Sequence, residues 1–286
     1  MNPLTPGTHE IDVDGVRQVY HVFGSGPVCV ALSGGPGIVW EYLRSPGLEQ
    51  HFTMVHPEPV GTGDSGRLPA SEYTMDTYVR FLHVVIEHLG SAPVRLLGHS
   101  YGGFVAQRYT LTHPERVAGL ALYDTSPVTG ADFWGAAMAQ LAAYPERHPD
   151  VPEAAQVPAA FQRLGAATTD AELTAALKEA VPVYFADFWQ HRAELAPFVA
   201  GIRIWADPAN ANDPAPFDVR DRLPEITVPT AILVGRHDFI CGPTWAKLLA
   251  EGIPAAHLTE FPDSGHFPHV EEPEAFVAAV TSTLSN

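Results

Sequence analysis

The sequence predicts an α/β protein whose parallel sheet is interrupted by a helical insert. Short apolar runs alternate with helical patterns over residues 1–126, and this alternation is typical of βαβ units. The strand pattern disappears over residues 127–224 and returns over residues 225–286. We therefore predict one α/β core, formed by residues 1–126 and 225–286, with residues 127–224 inserted as a helical cap.

The elements of the first part follow from their periodicity. HEIDVDGVRQVYHVF predicts two strands joined at Asp14-Gly15, because Asp-Gly is a preferred two-residue hairpin turn. A buried parallel strand is predicted at PVCVALSGG, and further strands are predicted at FTMVHPE, PVRLLGHS and RVAGLALYDTS. Helices are predicted at residues 39–50, MDTYVRFLHVVIEHLG and YGGFVAQRYTLTHPE.

The remaining elements alternate less regularly. Helical patches broken by prolines fill the insert, at FWGAAMAQLAAYPERH, DAELTAALKEAV and PVYFADFWQHRAEL. Turn-rich residues 207–218 predict a surface loop near the end of the insert. The last strands are predicted at VPTAILVGRHD and AAHLTEFP, and the last helices at PTWAKLLAEG and EEPEAFVAAVTSTLS.

Composition excludes several classes of partner. The net charge of −17, from 16 Lys+Arg against 33 Asp+Glu, argues against nucleic acid and against an anionic membrane surface. No apolar stretch is long enough to span a bilayer, and the first residues show no signal peptide, so a cytoplasmic location is expected. Cys29 and Cys241 are expected to be free and buried rather than disulfide-bonded.

The stretch RLLGHSYGGF, residues 95–104, contains the strongest chemical signal. Gly98-His99-Ser100-Tyr101-Gly102 fits G-x-S-x-G between a predicted strand and a predicted helix, which is the setting of a nucleophile elbow. Glycines flank the serine because larger side chains would clash in so tight a turn. The following helix presents N–H groups and a positive dipole end to a developing anion. Ser100 is therefore the predicted nucleophile.

A serine needs a base, and the base needs an acid, in the chain order Ser, Asp, His. Asp238 lies just past a predicted strand, and His266 lies in the loop after the next strand. We predict that Asp238 orients His266, which takes the proton of Ser100. Asp124 also ends a strand and remains an alternative acid. His269 and His99 are interpreted as structural.

An oxyanion hole is expected beside Ser100. Its donors should be the N–H of Tyr101 and an N–H from the loop SGGPG, residues 33–37. Pro36 has no N–H, so Gly35 is the predicted second donor. No H-E-x-x-H or similar ligand spacing occurs, so no metal is expected.

Taken together, these residues resemble the proline iminopeptidase-like group of α/β hydrolases. The matching stretches span nearly the whole predicted core in order: SGGPGIVWEYL (33–43), VGTGDSG (60–66), GHSYGG (98–103), GRHD (235–238) and GHFPHVEEP (265–273). The resemblance implies an eight-stranded, mostly parallel sheet with a helical cap, and no cofactor. Two departures stand out: Ser33 replaces the usual His, and Glu58-Pro59-Val60 replaces the usual Asp-Gln-Arg, so an ion pair near the site is expected to be lost.

The resemblance also implies acids that hold the free amino terminus of a substrate. Glu41 matches the position after the GGPG loop, and Asp187 and Glu194 are candidates in the cap. For Glu41, a helix-start acid favoured by the dipole is the competing interpretation. Trp189, with other aromatic residues of the cap, would suit an apolar acyl group instead.

Three functions remain open from the sequence. The first is a serine aminopeptidase or amidase that releases a small amino-terminal residue through an acyl-enzyme. A second is a carboxylesterase or lactonase acting on a small apolar ester. The third is a non-catalytic binding protein on a hydrolase scaffold. The expected partner is a small-molecule or short-peptide substrate, and the oligomeric state is left open.

Overall fold

A computed structural model describes residues 2–90, 92–210 and 216–285. Within them it contains one eight-stranded sheet in the order β1-β2-β4-β3-β5-β6-β7-β8. The strands are β1 Gly7–Val13, β2 Val16–Gly24, β3 Val28–Leu32, β4 Thr53–Pro57, β5 Val94–His99, β6 Val117–Tyr123, β7 Thr230–Gly235 and β8 Ala256–Phe261. The predicted α/β fold with an eight-stranded sheet is confirmed.

The sheet is antiparallel only at its amino-terminal edge. β1 pairs with β2, and β2 with β4, in antiparallel register, whereas every pairing from β4 through β8 is parallel. The predicted hairpin turn is present: Asp14 and Gly15 have φ values of 54° and 85°, the left-handed values that this turn requires.

Helices cover both faces of the sheet. They are α1 Met75–Leu89, α2 Tyr101–Thr112, α3 Ala131–Ala142, α4 Tyr144–Arg147, α5 Val157–Leu164, α6 Asp170–Ala180, α7 Arg192–Gly201, α8 Ala206–Ala209, α9 Pro243–Gly252, α10 Pro268–Glu271 and α11 Pro273–Leu284. α1, α2 and α9 share a hydrophobic cluster on one face, and α11 packs on the other. Successive residues of the central strands alternate between the two clusters, as with Leu96 and Leu97 of β5.

The chain between β6 and β7, called the helical segment below, carries α3 to α8 and apolar clusters of its own. Among its described residues, β-structure is limited to two isolated bridges, one between Val128 and Asp218 and one between Ile204 and Ile38. Its division from the core at residues 127 and 224 stays a prediction. Part of the predicted surface loop at 207–218 coincides with α8, and residues 211–215 lie outside the described residues.

Two helix predictions need correction. Residues 39–50 form two short 3-10 turns, Glu41–Leu43 and Leu48–Gln50, instead of one helix. The reason is Pro46, which disfavours helical geometry in the residue before it. The patch PVYFADFWQHRAEL is likewise divided into a 3-10 turn, Val181–Tyr184, and the start of α7.

Two sequence expectations concern the membrane and the thiols. No described helix is both long and apolar enough to cross a bilayer. Cys29 and Cys241 are free and buried, as predicted.

Candidate active site

The predicted catalytic residues follow different strands at one edge of the sheet. Ser100 comes directly after β5, Asp238 lies past the end of β7, and His266 lies past the end of β8. Gly35 follows β3. Because β3, β5, β7 and β8 run parallel, their carboxyl ends meet at the same edge, where open α/β sheets bind ligands.

Ser100 occupies a strained turn between β5 and α2. Its φ of 53° and ψ of −118° lie outside the regions that a non-glycine residue normally adopts. A Cβ on Gly98 would come within 2.5 Å of Gly102 O, and one on Gly102 would strike the backbone of Leu32. The flanking glycines are therefore required by close backbone approach, as the motif predicts.

His266 and Asp238 form a buried hydrogen-bonded pair. His266 Nδ1 lies 2.8 Å from Asp238 Oδ2, and the two side chains are 4% and 0% exposed. The other oxygen, Asp238 Oδ1, accepts from the backbone N–H groups of Ile240 and Cys241 at 2.9 and 3.1 Å. Both carboxylate oxygens are thus engaged, and the acid is held in one orientation toward the imidazole.

Asp124 lies behind this pair with no exposed surface. Its Oδ1 accepts from Gly235 N at 2.9 Å. Burial, and then the charge of Asp238, raise the pKa of Asp124 well above its ordinary value. Burial therefore favours the neutral form of the Asp124 carboxyl group, and it is Asp238 that contacts His266.

The oxyanion loop, residues 33–37, lies beside Ser100. A Cβ on Gly34 would be 3.1 Å from Ser100 Cβ, so this loop passes directly over the nucleophile. Gly34 N donates to the Tyr42 hydroxyl at 2.6 Å, whereas Gly35 N donates to none of the described residues. Tyr101 is the first residue of α2. This geometry is compatible with Gly35 and Tyr101 as the donors.

The two other histidines of the site are held by hydrogen bonds. His99 Nδ1 lies 2.6 Å from Tyr42 Oη, and His99 Nε2 lies 3.0 Å from the carbonyl oxygen of His266. His269 Nε2 lies 2.7 Å from Tyr42 O, and His269 Nδ1 contacts the Tyr123 hydroxyl. His99 and His269 thus have the structural setting that the sequence predicts.

Within the described residues, one group could geometrically hold a metal ion: His99, Asp124 and His266, whose ligand atoms lie within 4.8 Å of one another. Both ring nitrogens of His99 already have hydrogen-bond partners, and His266 Nδ1 is paired with Asp238. A buried carboxyl group with a raised pKa is also a poor ligand, because metal ligands must be deprotonated. These side chains fit a hydrogen-bonded site better than a metal centre.

Two cavities meet at Ser100. The first, of about 350 Å³, contains His266 and is named the base-side cavity; its walls include Leu173, Leu177, Val181, Ile202, Ile204 and Phe267. The second, of about 540 Å³, contains Tyr101 and Cys241 and is named the elbow-side cavity; its walls include Tyr73, Met75, Phe104, Phe133 and Phe217. Trp134, 47% exposed, lines both cavities.

The structure does not bring Glu41 to these cavities. Its carboxylate forms an ion pair of 3.1 Å with Arg203, and the two side chains are 44% and 58% exposed. Glu41 lines a separate polar cleft with Glu58 and Asp64. The expectation that it holds a substrate amine beside Ser100 is therefore not supported; it begins a 3-10 turn, as in the competing interpretation.

The cap candidates also lie elsewhere. Asp187 and Glu194 line an outer cleft, where Asp187 accepts from Gln190 N at 3.2 Å and Glu194 contacts His191. Trp189 packs in the interior of the helical segment and lines neither cavity at Ser100. Their positions depend on how the helical segment folds, and short-range pattern does not determine that.

The Glu58-Pro59-Val60 departure has a structural counterpart. His21 Nε2 lies 2.8 Å from Glu58 Oε1, and Glu58 Oε2 accepts from the N–H groups of Asp64 and Ser65. Burial alone would raise the pKa of Glu58, but these hydrogen bonds outweigh it and lower the pKa. His21 thus forms a hydrogen bond with Glu58 at the place where the usual motif would offer an arginine. The Ser33 hydroxyl donates a long hydrogen bond of 3.4 Å to Ile38 O.

One anchoring residue has no counterpart in the sequence-based prediction. Glu271 accepts from Gly265 N at 2.7 Å and from Ala186 N at 2.8 Å, and so joins the loop of His266 to the helical segment. His266 N also donates to Tyr184 O at 2.6 Å. Burial raises the pKa of Glu271 to about 7. The only sequence signal for this role of Glu271 is its position at the end of the stretch GHFPHVE.

A doubly covered sheet with a serine at a strand-to-helix turn, and an Asp–His pair at the same edge, is the architecture of a hydrolase. The chain belongs to the alpha/beta hydrolase family, because the sequence profile described as "alpha/beta hydrolase fold" matches residues 27–273. This assignment covers most of the core and the whole helical segment.

Similar proteins carry names with different substrates. A proline iminopeptidase from Heyndrickxia coagulans is 27% identical, over 96% of this chain and 98% of that protein. A pimeloyl-[acyl-carrier protein] methyl ester esterase from Vibrio vulnificus is 28% identical, over 88% of this chain and 92% of that protein. The solved structure of the esterase EaEST from Exiguobacterium antarcticum matches with a TM-score of 0.73 and 25% identity, covering 99% of this chain and 100% of that one.

Proposed function

We propose that this hydrolase is a carboxylesterase that cleaves esters with apolar groups on both sides of the scissile bond. The observation that carries the proposal is the chemistry of the two cavities at Ser100. Among the described residues, their linings contain no Asp, Glu, Lys or Arg. Pockets of a few hundred Å³ with mostly apolar walls and a few convergent polar groups are typical of small-molecule sites.

The proposed roles follow the order of chemical steps. Ser100 Oγ attacks the ester carbonyl while His266 takes its proton, and Asp238 stabilises the imidazolium that forms. The N–H groups of Gly35 and Tyr101 receive the developing oxyanion. His266 then protonates the departing alkoxide, and a water activated by His266 hydrolyses the acyl-enzyme.

We propose that the two cavities bind different parts of the ester. The alkoxide must be within reach of the His266 ring to be protonated, and His266 lines the base-side cavity but not the elbow-side cavity. We therefore place the alcohol group in the base-side cavity and the acyl group in the elbow-side cavity.

An aminopeptidase is the second candidate, favoured by the name of the relative at 27% identity. It would need a carboxylate near Ser100 to hold a substrate ammonium group, because a buried charge without a partner is strongly disfavoured. Glu41, Asp187 and Glu194 are the acids expected to do so, and all three line other clefts. The ester substrate is therefore preferred.

Paired substrates test the proposal. Turnover of 1-naphthyl butyrate is expected, with turnover of prolyl 2-naphthylamide lower by more than about 100-fold in kcat/KM, as expected for an ammonium group bound without a carboxylate. The Ser100→Ala variant should lose both activities and labelling by a fluorophosphonate. Efficient cleavage of the prolyl substrate with no ester turnover would reverse the order of the two candidates.

A second experiment tests the division of the substrate. Leu177→Trp narrows the base-side cavity, and Met75→Trp narrows the elbow-side cavity. The first variant should discriminate against long alcohol groups and the second against long acyl groups. The opposite pattern would exchange the two assignments.

A further inference from the structure

A chain of partly or fully buried hydrogen bonds runs from the oxyanion loop to His266. Gly34 N donates to Tyr42 Oη at 2.6 Å, and Tyr42 Oη lies 2.6 Å from His99 Nδ1. His99 Nε2 lies 3.0 Å from the carbonyl oxygen of His266. His99 directly precedes Ser100 in β5, so the chain also passes beside the nucleophile.

The two ends of this chain assign its protons. The amide of Gly34 can only donate, so the Tyr42 oxygen accepts there and its own O–H is directed to His99 Nδ1. The carbonyl of His266 can only accept, so His99 Nε2 carries the proton. The opposite tautomer would place an imidazole lone pair against a carbonyl oxygen, which is repulsive.

The setting keeps this arrangement constant near neutral pH. Burial, and the neighbouring imidazoles of His266 and His269, hold the pKa of His99 well below its ordinary value, and burial raises the pKa of Tyr42. Both side chains therefore remain neutral. His269 Nε2, 2.7 Å from Tyr42 O, fixes the backbone of Tyr42 as well.

The oxyanion loop and the residue two positions after it also contact the helical segment. Trp205 N donates to Gly37 O at 2.9 Å, and Val39 N donates to Arg203 O at 3.0 Å. The loop thus lies between the helical segment and the strand that carries Ser100. The Tyr42 hydroxyl ties Gly34, the neighbour of Gly35, to the strand that carries Ser100.

We propose that Tyr42 and His99 are positioning residues, which form a hydrogen-bonded bridge that aligns the oxyanion loop and the backbone of His266 with Ser100. The inference rests on the proposed roles of Ser100, Gly35 and His266. Neither side chain of the Tyr42–His99 bridge exchanges protons with the substrate. The bridge acts on the transition state, where the oxyanion and the imidazolium develop together.

The test compares Tyr42→Phe, His99→Phe and the double variant with the wild-type protein. Tyr20→Phe is the matched control, because Tyr20 is a buried tyrosine outside the site. Its hydroxyl donates a hydrogen bond of 3.0 Å to Pro3 O. With 1-naphthyl butyrate, Tyr42→Phe should lower kcat by about 10- to 100-fold, less than deletion of an oxyanion donor, and change KM by less than about twofold. Tyr20→Phe should keep kcat within about twofold of the wild type.

The double variant distinguishes a bridge from independent packing effects. If the two residues act as one unit, the double variant loses no more kcat than the more damaged single variant, because either change breaks the bridge. Multiplicative losses would overturn the proposal, and so would a folded Tyr42→Phe variant that matches Tyr20→Phe in kcat and KM.

A measurement without substrate tests the Tyr42–His99 bridge independently of the proposed function. Nitrogen-15 NMR of the histidine rings in the wild-type protein should show His99 neutral at pH 7 with its proton on Nε2. The Nδ1–H tautomer, or a protonated ring, would overturn the bridge whatever the substrate. Absence of ester turnover with the expected tautomer would contradict the carboxylesterase proposal and leave the bridge supported.

Discussion

Replacement of Asp238 by Asn should abolish most of the activity by changing the His266 tautomer. Asp238 Oδ1 accepts from two backbone N–H groups, those of Ile240 and Cys241. In Asp238→Asn the amide oxygen must stay at that position, which places the NH₂ group where Oδ2 now lies, 2.8 Å from His266 Nδ1. The amide would donate to Nδ1, and the ring proton would move to Nε2. His266 could then no longer accept the proton of Ser100.

The size of the loss follows from this tautomer change. An Asp-to-Asn change in a Ser-His-Asp triad with intact geometry lowers kcat by about 10⁴, which corresponds to about 5 kcal/mol of transition-state stabilisation. The expected result is therefore a folded protein with a normal melting temperature and kcat near the detection limit. Stopped-flow or steady-state hydrolysis of 1-naphthyl butyrate measures kcat, and thermal unfolding checks the fold.

Asp124→Asn is the matched control, because it makes the same chemical change in a neighbouring buried acid. The raised pKa of Asp124 favours the neutral form of its carboxyl group, which an amide resembles closely. Asparagine also keeps an oxygen for the Gly235 N–H bond. We expect kcat within about tenfold of the wild type, since no triad hydrogen bond is lost. A loss near 10⁴ in Asp124→Asn with a mild effect in Asp238→Asn would assign the acid to Asp124 and refute this reasoning.

Two further changes test stability. Burial, with a contribution from the charge of Arg44, lowers the pKa of His56 to about 3. Neither of its ring nitrogens has a hydrogen-bond partner among the described residues. The unfolded chain therefore binds a proton between pH 3 and 6.5 that the folded chain excludes, and stability falls as the pH falls. His56→Phe should remove about 2 kcal/mol of the stability difference between pH 8 and pH 5 in urea unfolding, and an unchanged difference would contradict the assignment. Gly265→Ala should lower both melting temperature and kcat, because its Cβ would strike Tyr184 O and lie 2.9 Å from Phe185 Cα. Gly135→Ala in α3 is the control: its Cβ would have nothing within 4 Å, so the change should be neutral or stabilising by up to about 1 kcal/mol. Equal effects of the two changes would show that the close backbone approach at Gly265 is unimportant.

The strand-to-helix turn at Ser100 was predictable because its requirements are local. Gly98 and Gly102 are needed by atoms only a few residues away or on the adjacent strand, and the apolar runs before and after them have clear periodicity. The order of Asp238 and His266 along the chain was readable for the same reason, since each follows a strand of a parallel sheet. The hairpin turn was predictable as well, because it requires only left-handed φ angles at Asp14 and Gly15.

The choice between Asp124 and Asp238 required the folded structure. Both acids follow a strand at the same sheet edge, and only the arrangement of the loops decides which oxygen meets His266. The hydrogen bonds that join Gly34, Tyr42 and His99 also required the folded structure, because these residues are far apart in the chain.

The α/β class, the position of the elbow and the order of the candidate triad could be predicted without coordinates, because backbone sterics and hydrophobic periodicity act over short distances. The pairing of Glu41 with Arg203 and the apolar walls around Ser100 became evident only in the folded chain. The direction in which a side chain points across an insert depends on long-range packing of the helical segment, and no local pattern encodes that packing.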